Sequence, residues 1–208
     1  MKHIARVFQI FRAGRHTAMN GVTLDYSESD LTASANAYNH SAYSAPLVLG
    51  HPKHESTAYG RVASLFVKGG KLFAHALVDS PLVQMVREGR YRNVSASFFG
   101  PNDHSNPVRG VWSLKHVGFL GAVPPAVRGM APLDFASGDD CLCFASDCDL
   151  EACSTHEEIY QFATPPDYQV DSAALPLYRL AKEYQRACPE LTFTEAAILA
   201  GPNTNPRT

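Results

Sequence analysis

The sequence predicts an α+β domain that is mainly β, followed by an acidic extension that ends in short helices. Three observations carry this expectation. Strand-like runs, several of them alternating apolar and polar, recur between residues 4 and 120; the helical patterns between them are short; and charge falls into two blocks. Residues 1–128 hold 14 Lys+Arg against 7 Asp+Glu, whereas residues 129–178 hold 10 acids and neither Lys nor Arg. That step divides the chain into a main domain at 1–136, an acidic linker at 137–175 and a helical tail at 176–208.

The elements follow in order. "IARVFQIF" at 4–11 reads as a strand that stops before the turn signal "RAGRH". After a second turn at Asn20-Gly21, Ser29 or Asp30 is expected to cap a helix whose apolar positions are Leu31, Ala35 and Tyr38. The run Leu47-Val48-Leu49 suits a buried strand, and Gly50 ends it, leaving His51 at its exit. "YGRVASLFVKGGKLFAHALV" reads as a hairpin turning at Gly69-Gly70.

A short helix comes next. Ser80 is its expected N-cap, Pro81 sits where a missing N–H costs nothing, and Gly89 closes it. "YRNVSASFFG" then forms a strand in which period-two alternation puts Val94, Ala96 and Phe98 on one face and Asn93, Ser95, Ser97 and Phe99 on the other. "PNDHSNPVRG" has loop composition, and "VWSLKHVGFLGAV" is a further strand with His116 near its middle. Beyond the acidic stretch, "AALPLYRLAKEYQRACPELTFTEAAILA" gives two amphipathic helices, the second capped by Thr192 with Glu195 three residues on.

Composition also excludes several classes. No run approaches the roughly 18 apolar residues of a membrane span, and the basic residues within "MKHIARVFQIFRAGRH" are unlike a signal peptide, so a cytoplasmic protein with no membrane partner is expected. The basic residues are scattered, without a nucleic-acid-binding signature, so no specific nucleic-acid partner is expected. Cys141, Cys143, Cys148 and Cys153 crowd together but lack paired C-x2-C knuckles, which favours free thiols over a metal site. "HPKHE" places His51, His54 and Glu55 in the order H-x-x-H-E rather than H-E-x-x-H, and Pro52 opposes a helix there. "GGK" at 69–71 lacks phosphate-loop spacing. Neither metal nor cofactor is expected.

What remains is a set of nucleophile and bases. His51 stands between Gly50 and Pro52, where the backbone is restricted; Ser95 and Ser97 share a strand face; and His116 lies in the following strand. A hydroxyl becomes a nucleophile when a base takes its proton and a third group orients that base, and Ser, His and His supply such a set. On the residues alone a solvated strand face is the simpler account of the two serines, and the G-x-S-x-G elbow is absent.

"IFRAGRHTAMNG", "APLVLGHP", "AYGRVASL", "VREGRYRNVSASFF" and "NPVRGVWSLKHVGFLGAVPPAVRGM" resemble, in order and between about residues 8 and 136, the Mu-like phage head maturation proteases, known as protein I. That family is distantly similar to other prohead proteases and to herpesvirus assemblin. The resemblance implies a small β-barrel surrounded by short helices and a serine endopeptidase that cleaves scaffold, major capsid and other prohead proteins inside the immature head, in a bacterial host or from a prophage. It implies Ser95 as nucleophile, His51 as base and His116 as third member, with Ser97 the fallback nucleophile and Arg128 supporting the oxyanion through a water. It also implies a homodimer. The alternatives are an inactive protease-like scaffolding or assembly protein and a metal-dependent hydrolase built on "HPKHE".

Overall fold

The computed structural model describes residues 3–18, 21–52, 56–122, 125–135 and 174–201. Strands β1 (His3–Arg12), β5 (Gly60–Lys68) and β6 (Lys71–Asp79) form an antiparallel sheet in the order β1-β6-β5. Strands β4 (Leu47–Leu49), β7 (Asn93–Phe99) and β8 (Ser113–Leu120) form a second sheet in the order β4-β8-β7, with β4 parallel and β7 antiparallel to β8. Strands β2 (Gly14–Thr17) and β3 (Thr23–Tyr26) make a separate hairpin. Helix α1 spans Glu28–Ala37, α2 Ser80–Arg87, α3 Leu175–Ala187 and α4 Phe193–Ala200. None of these is long and apolar enough to cross a membrane.

Local chemistry sets most of these boundaries. The β5–β6 hairpin turns through Gly69 at φ 57 and Gly70 at φ 68, two successive left-handed positions that a two-residue turn requires and glycine adopts freely. Helix α1 is capped by Ser27 rather than by Ser29 or Asp30; Asp30 instead occupies the third helical position and returns a bond from its carboxylate to the Ser27 N–H at 2.8 Å. Helix α2 begins one residue earlier than expected, with Asp79 as N-cap and no side-chain capping bond, because Ser80 is already helical. The segment "RAGRH" is not simply a turn, since Gly14 begins β2.

The core lies between the two sheets. Phe8 from β1 meets Phe119 from β8 edge to face at 5.7 Å, and Leu47, Val62, Leu72, Val117 and Phe119 are sealed from solvent. Each such apolar side chain contributes about 1.5–3 kcal/mol relative to exposure. The first sheet is covered on its other face too, because Val7, Phe66 and Phe73 pack against Ala181, Tyr184, Cys188 and Leu191 of the α3–α4 hairpin and its turn. Burial on both faces explains why "VFQIF" reads as a nearly continuous apolar run.

The sheets do not close into the small barrel that the resemblance implies. They touch through the isolated bridge Pro46↔Arg61, and among the described residues no ladder joins β1 to β7. The β1–β6 register slips between Gln9 and Phe11 and the β7–β8 register slips between Ser97 and Phe98, so the facing edges meet through the rings of Phe11 and Phe98, 5.1 Å apart, instead of through backbone pairs. Of the acidic linker expected at 137–175, residues 137–173 lie outside the described residues, and Leu175 already begins α3.

Candidate functional site

The site is assembled on the open face of the β4-β8-β7 sheet. Strand β4 is buried and ends where Gly50, at φ 66, turns the chain while its N–H still donates to the Phe119 carbonyl at 2.9 Å. This turn carries His51 across the face of β8. A side chain at Gly118 would collide with the Gly50 carbonyl and come within 3.3 Å of His51 Cε1, so the imidazole lies over a position that only glycine leaves empty.

Strand register supplies the rest. Ser95 pairs with Gly118 and Ser97 pairs with His116, and directly opposed residues of antiparallel strands point to the same face. Thus Ser95 flanks the glycine beneath His51, while Ser97 flanks His116. His51 Nδ1 and His116 Nε2 are 2.8 Å apart and share one hydrogen, which leaves His51 Nε2 for another partner. The four side chains line one cavity of about 490 Å³.

The electrostatics keep this pair neutral near neutral pH. Burial lowers the His51 pKa. The His116 pKa is lowered to about 4 by burial first, then by the neighbouring His51 and by the Lys115 ammonium. Two imidazoles in contact resist carrying two protons. One therefore accepts and the other donates.

Residues that sequence patterning did not single out complete the cavity. Phe11, Tyr26, Phe98 and Trp112 form an aromatic wall, with Phe11 and Tyr26 at 4.9 Å and Tyr26 and Trp112 at 5.0 Å. Phe98 keeps the side of β7 that alternation assigns it, opposed to the buried Leu114 as Val94 and Ala96 are to Phe119 and Val117, and it reaches the cavity beside Phe11. The extra residue at the register shift, Lys115, lies in β8. His16, Thr17, Ala126 and Val127 line the cavity as well. The signal for Gly118 was present in "KHVGF", but its use depended on the path of β4. Arg128 does not line this cavity; it lines an adjoining cleft with Arg12 and Arg15.

The metal readings fall largely outside this description. His54, Glu55 and the cysteines at 141–153 lie among the residues not described, and no group of three or more metal-ligating side chains occurs among the described ones. The one described cysteine, Cys188, is buried beside Tyr184 and has its pKa raised by that burial.

No family model and no curated protein matches the chain, so the resemblance to Mu-like head maturation proteases rests on the quoted motifs. Among solved structures, a Kaposi's sarcoma-associated herpesvirus protease in complex with an allosteric inhibitor is 12% identical over 80% of this chain and 95% of its own, with a TM-score of 0.42. The same virus's protease with a hexapeptide phosphonate inhibitor is 13% identical over 96% and 94%, again at 0.42. A third structure, with a dimer disruptor, is 14% identical over 78% and 92% at 0.42. Likeness at this level fixes neither the fold nor the chemistry.

Proposed function

We propose that the chain is a serine endopeptidase using Ser95, His51 and His116, and that its substrates are the scaffold, major capsid and other proteins of an immature phage head. The observation that carries the chemistry is the 2.8 Å contact between His51 Nδ1 and His116 Nε2, made directly over Gly118 and opposite Ser95. The substrate class comes from the sequence resemblance.

In this reading His51 donates its Nδ1 hydrogen to a neutral His116, which fixes the tautomer with a bare lone pair on His51 Nε2. That lone pair takes the Ser95 proton as Oγ attacks the peptide carbonyl. The resulting imidazolium then protonates the departing amine, and a water deacylates Ser95 by the same route in reverse. A neutral imidazole stabilises the imidazolium less than a carboxylate does, which suits slow, limited proteolysis. Backbone N–H groups hold the oxyanion; Arg128, which lines the adjoining cleft and not this cavity, is not needed for that role.

Co-expression with scaffold and major capsid proteins tests the proposal. Wild type and Ser97→Ala process them, whereas Ser95→Ala does not, and Ser95→Ala alone loses covalent labelling by a fluorophosphonate. Loss in Ser97→Ala instead would transfer the nucleophile to Ser97. Absence of both processing and labelling in wild type would leave an inactive assembly protein.

A further inference from the structure

Strand β2 links the Ser95 cavity to a second, differently lined cleft. His16, Thr17 and Ala126 line both, and the second cleft, about 520 Å³, is otherwise walled by Arg12, Ala13, Gly14, Arg15 and Arg128. Three exposed arginines from two distant chain segments line it. Among the described residues none of the three has a hydrogen-bonding or ion-pairing partner for its guanidinium, although Asp25 stands opposite Arg15 in the β2–β3 ladder. Three cations therefore line the cleft, and among the described residues no carboxylate does. The Arg12 side chain passes close to Gly129, at φ 75, where an added side chain would come within 2.6 Å of its Nη1.

We infer that the cleft of Arg12, Arg15 and Arg128 is an anionic subsite, holding an aspartate or glutamate side chain of a peptide whose backbone lies along β2 and whose scissile bond is at Ser95. This inference rests on the endopeptidase reading for the position of the scissile bond. Strand β2 pairs with β3 along one edge, leaving its other edge with the free N–H and C=O groups that an extended peptide can use. A strand of this length covers roughly 13 Å, so the acidic residue falls about three or four positions from the bond cleaved. Guanidinium forks bind carboxylates with two parallel hydrogen bonds.

Peptide fits better than nucleic acid. The one ring in the cleft is the His16 imidazole, which already packs on Phe11, and the basic residues of 1–128 are scattered along the sequence without a nucleic-acid-binding signature. The aromatic wall belongs to the neighbouring cavity, where it suits apolar side chains.

The test uses the full chain carrying Ser95→Ala and two labelled decapeptides, one with four alanines followed by glutamates and one with glutamines in their place. Fluorescence polarisation at low salt is expected to show the glutamate peptide binding about tenfold tighter, with the preference abolished by Arg12→Gln with Arg15→Gln. Equal binding of the two peptides, or a preference that survives the arginine substitutions, overturns the subsite. Tighter binding of inorganic phosphate or a single-stranded oligonucleotide, lost in the same variant, overturns the assignment to peptide. In the otherwise wild-type chain, Arg12→Gln with Arg15→Gln is expected to leave the fluorophosphonate labelling rate unchanged while raising KM for an acidic substrate; a fall in labelling would show that these arginines act on the reaction centre instead. If the wild-type chain is not labelled at all, the endopeptidase reading fails, while the binding arm still decides the subsite.

Discussion

Two histidines on two strands behave differently because of what covers them. His75 on β6 faces the α3–α4 hairpin, its ring 5.7 Å from that of Tyr184, and its Nε2 is buried without a hydrogen bond among the described residues. His116 on β8 faces an open cavity, and its Nε2 meets His51. Burial lowers the pKa of both, but only at His116 do a second imidazole and a lysine add to it. The comparison shows that a histidine in an alternating strand gains a side-chain partner when the sheet face stays open and another segment delivers one. On the first sheet the chain supplies a lid of Tyr184, Ala181 and Leu191; on the second it supplies the Gly50 turn.

Substitutions can break this contrast from either side. The largest effect is expected at the covered face, where Tyr184→Ala removes a fully buried ring and lowers stability by about 3–5 kcal/mol in denaturant titration, while the labelling rate of the folded fraction stays unchanged. A concurrent loss of labelling would mean that the two faces are coupled. At the open face His116→Ala is expected to slow processing by about 10²-fold by releasing the orientation of His51, a loss seen in kcat rather than KM. His75→Ala should leave kcat as it is, and equal losses from the two would erase the distinction. Gly118→Ala puts a methyl against the Gly50 carbonyl and His51, with an expected cost of about 1–3 kcal/mol from overpacking and a loss of labelling that exceeds the loss of folded protein.

Acid gives the smallest and most diagnostic effect. The folded-state pKa values of His51, His75 and His116 all lie below the unfolded value near 6.5, that of His116 at about 4. Between pH 6.5 and about 4 the unfolded chain therefore binds more protons than the folded one, so these groups favour folding above that window and penalise it as pH falls through it. Urea midpoints should drop across the window and flatten in either His75→Gln or His116→Gln. The acid limb of the kcat profile, set by protonation of His51, should lie below pH 6.5 and move in His116→Gln but not in His75→Gln. An acid limb above neutrality would contradict a base whose pKa is lowered by burial.

Charge, periodicity and turn chemistry were sufficient for much of the architecture. The glycine pair of the β5–β6 hairpin, the strand ending at Gly50 and the Thr192–Glu195 capping box are local features, and each was legible because the physics that produces it acts over a few residues. The caps of α1 and α2 were misplaced by one or more residues because Ser27, Ser29, Asp79 and Ser80 offer competing oxygens at adjacent positions, and only the backbone angles choose among them. The common face of Ser95 and Ser97, and the opposite face of Val94, Ala96 and Phe98, were readable from alternation, whereas the meeting of Phe98 with Phe11 beside the cavity depended on how the two sheets pack.

By itself the sequence determined which residues alternate, where the chain turns, and that two histidines and two serines were available for acyl transfer. Tertiary structure decided which of them meet. Register set Ser95 opposite Gly118 and Ser97 opposite His116, the left-handed Gly50 swung His51 over that glycine, and β1, β2 and the segment after β8 brought three arginines to the adjoining cleft. The physical reason is range: propensities and caps are settled within a turn or two, but the hydrogen-bond partner of His51 lies 65 residues away and is chosen by how separate segments come together in the sheet.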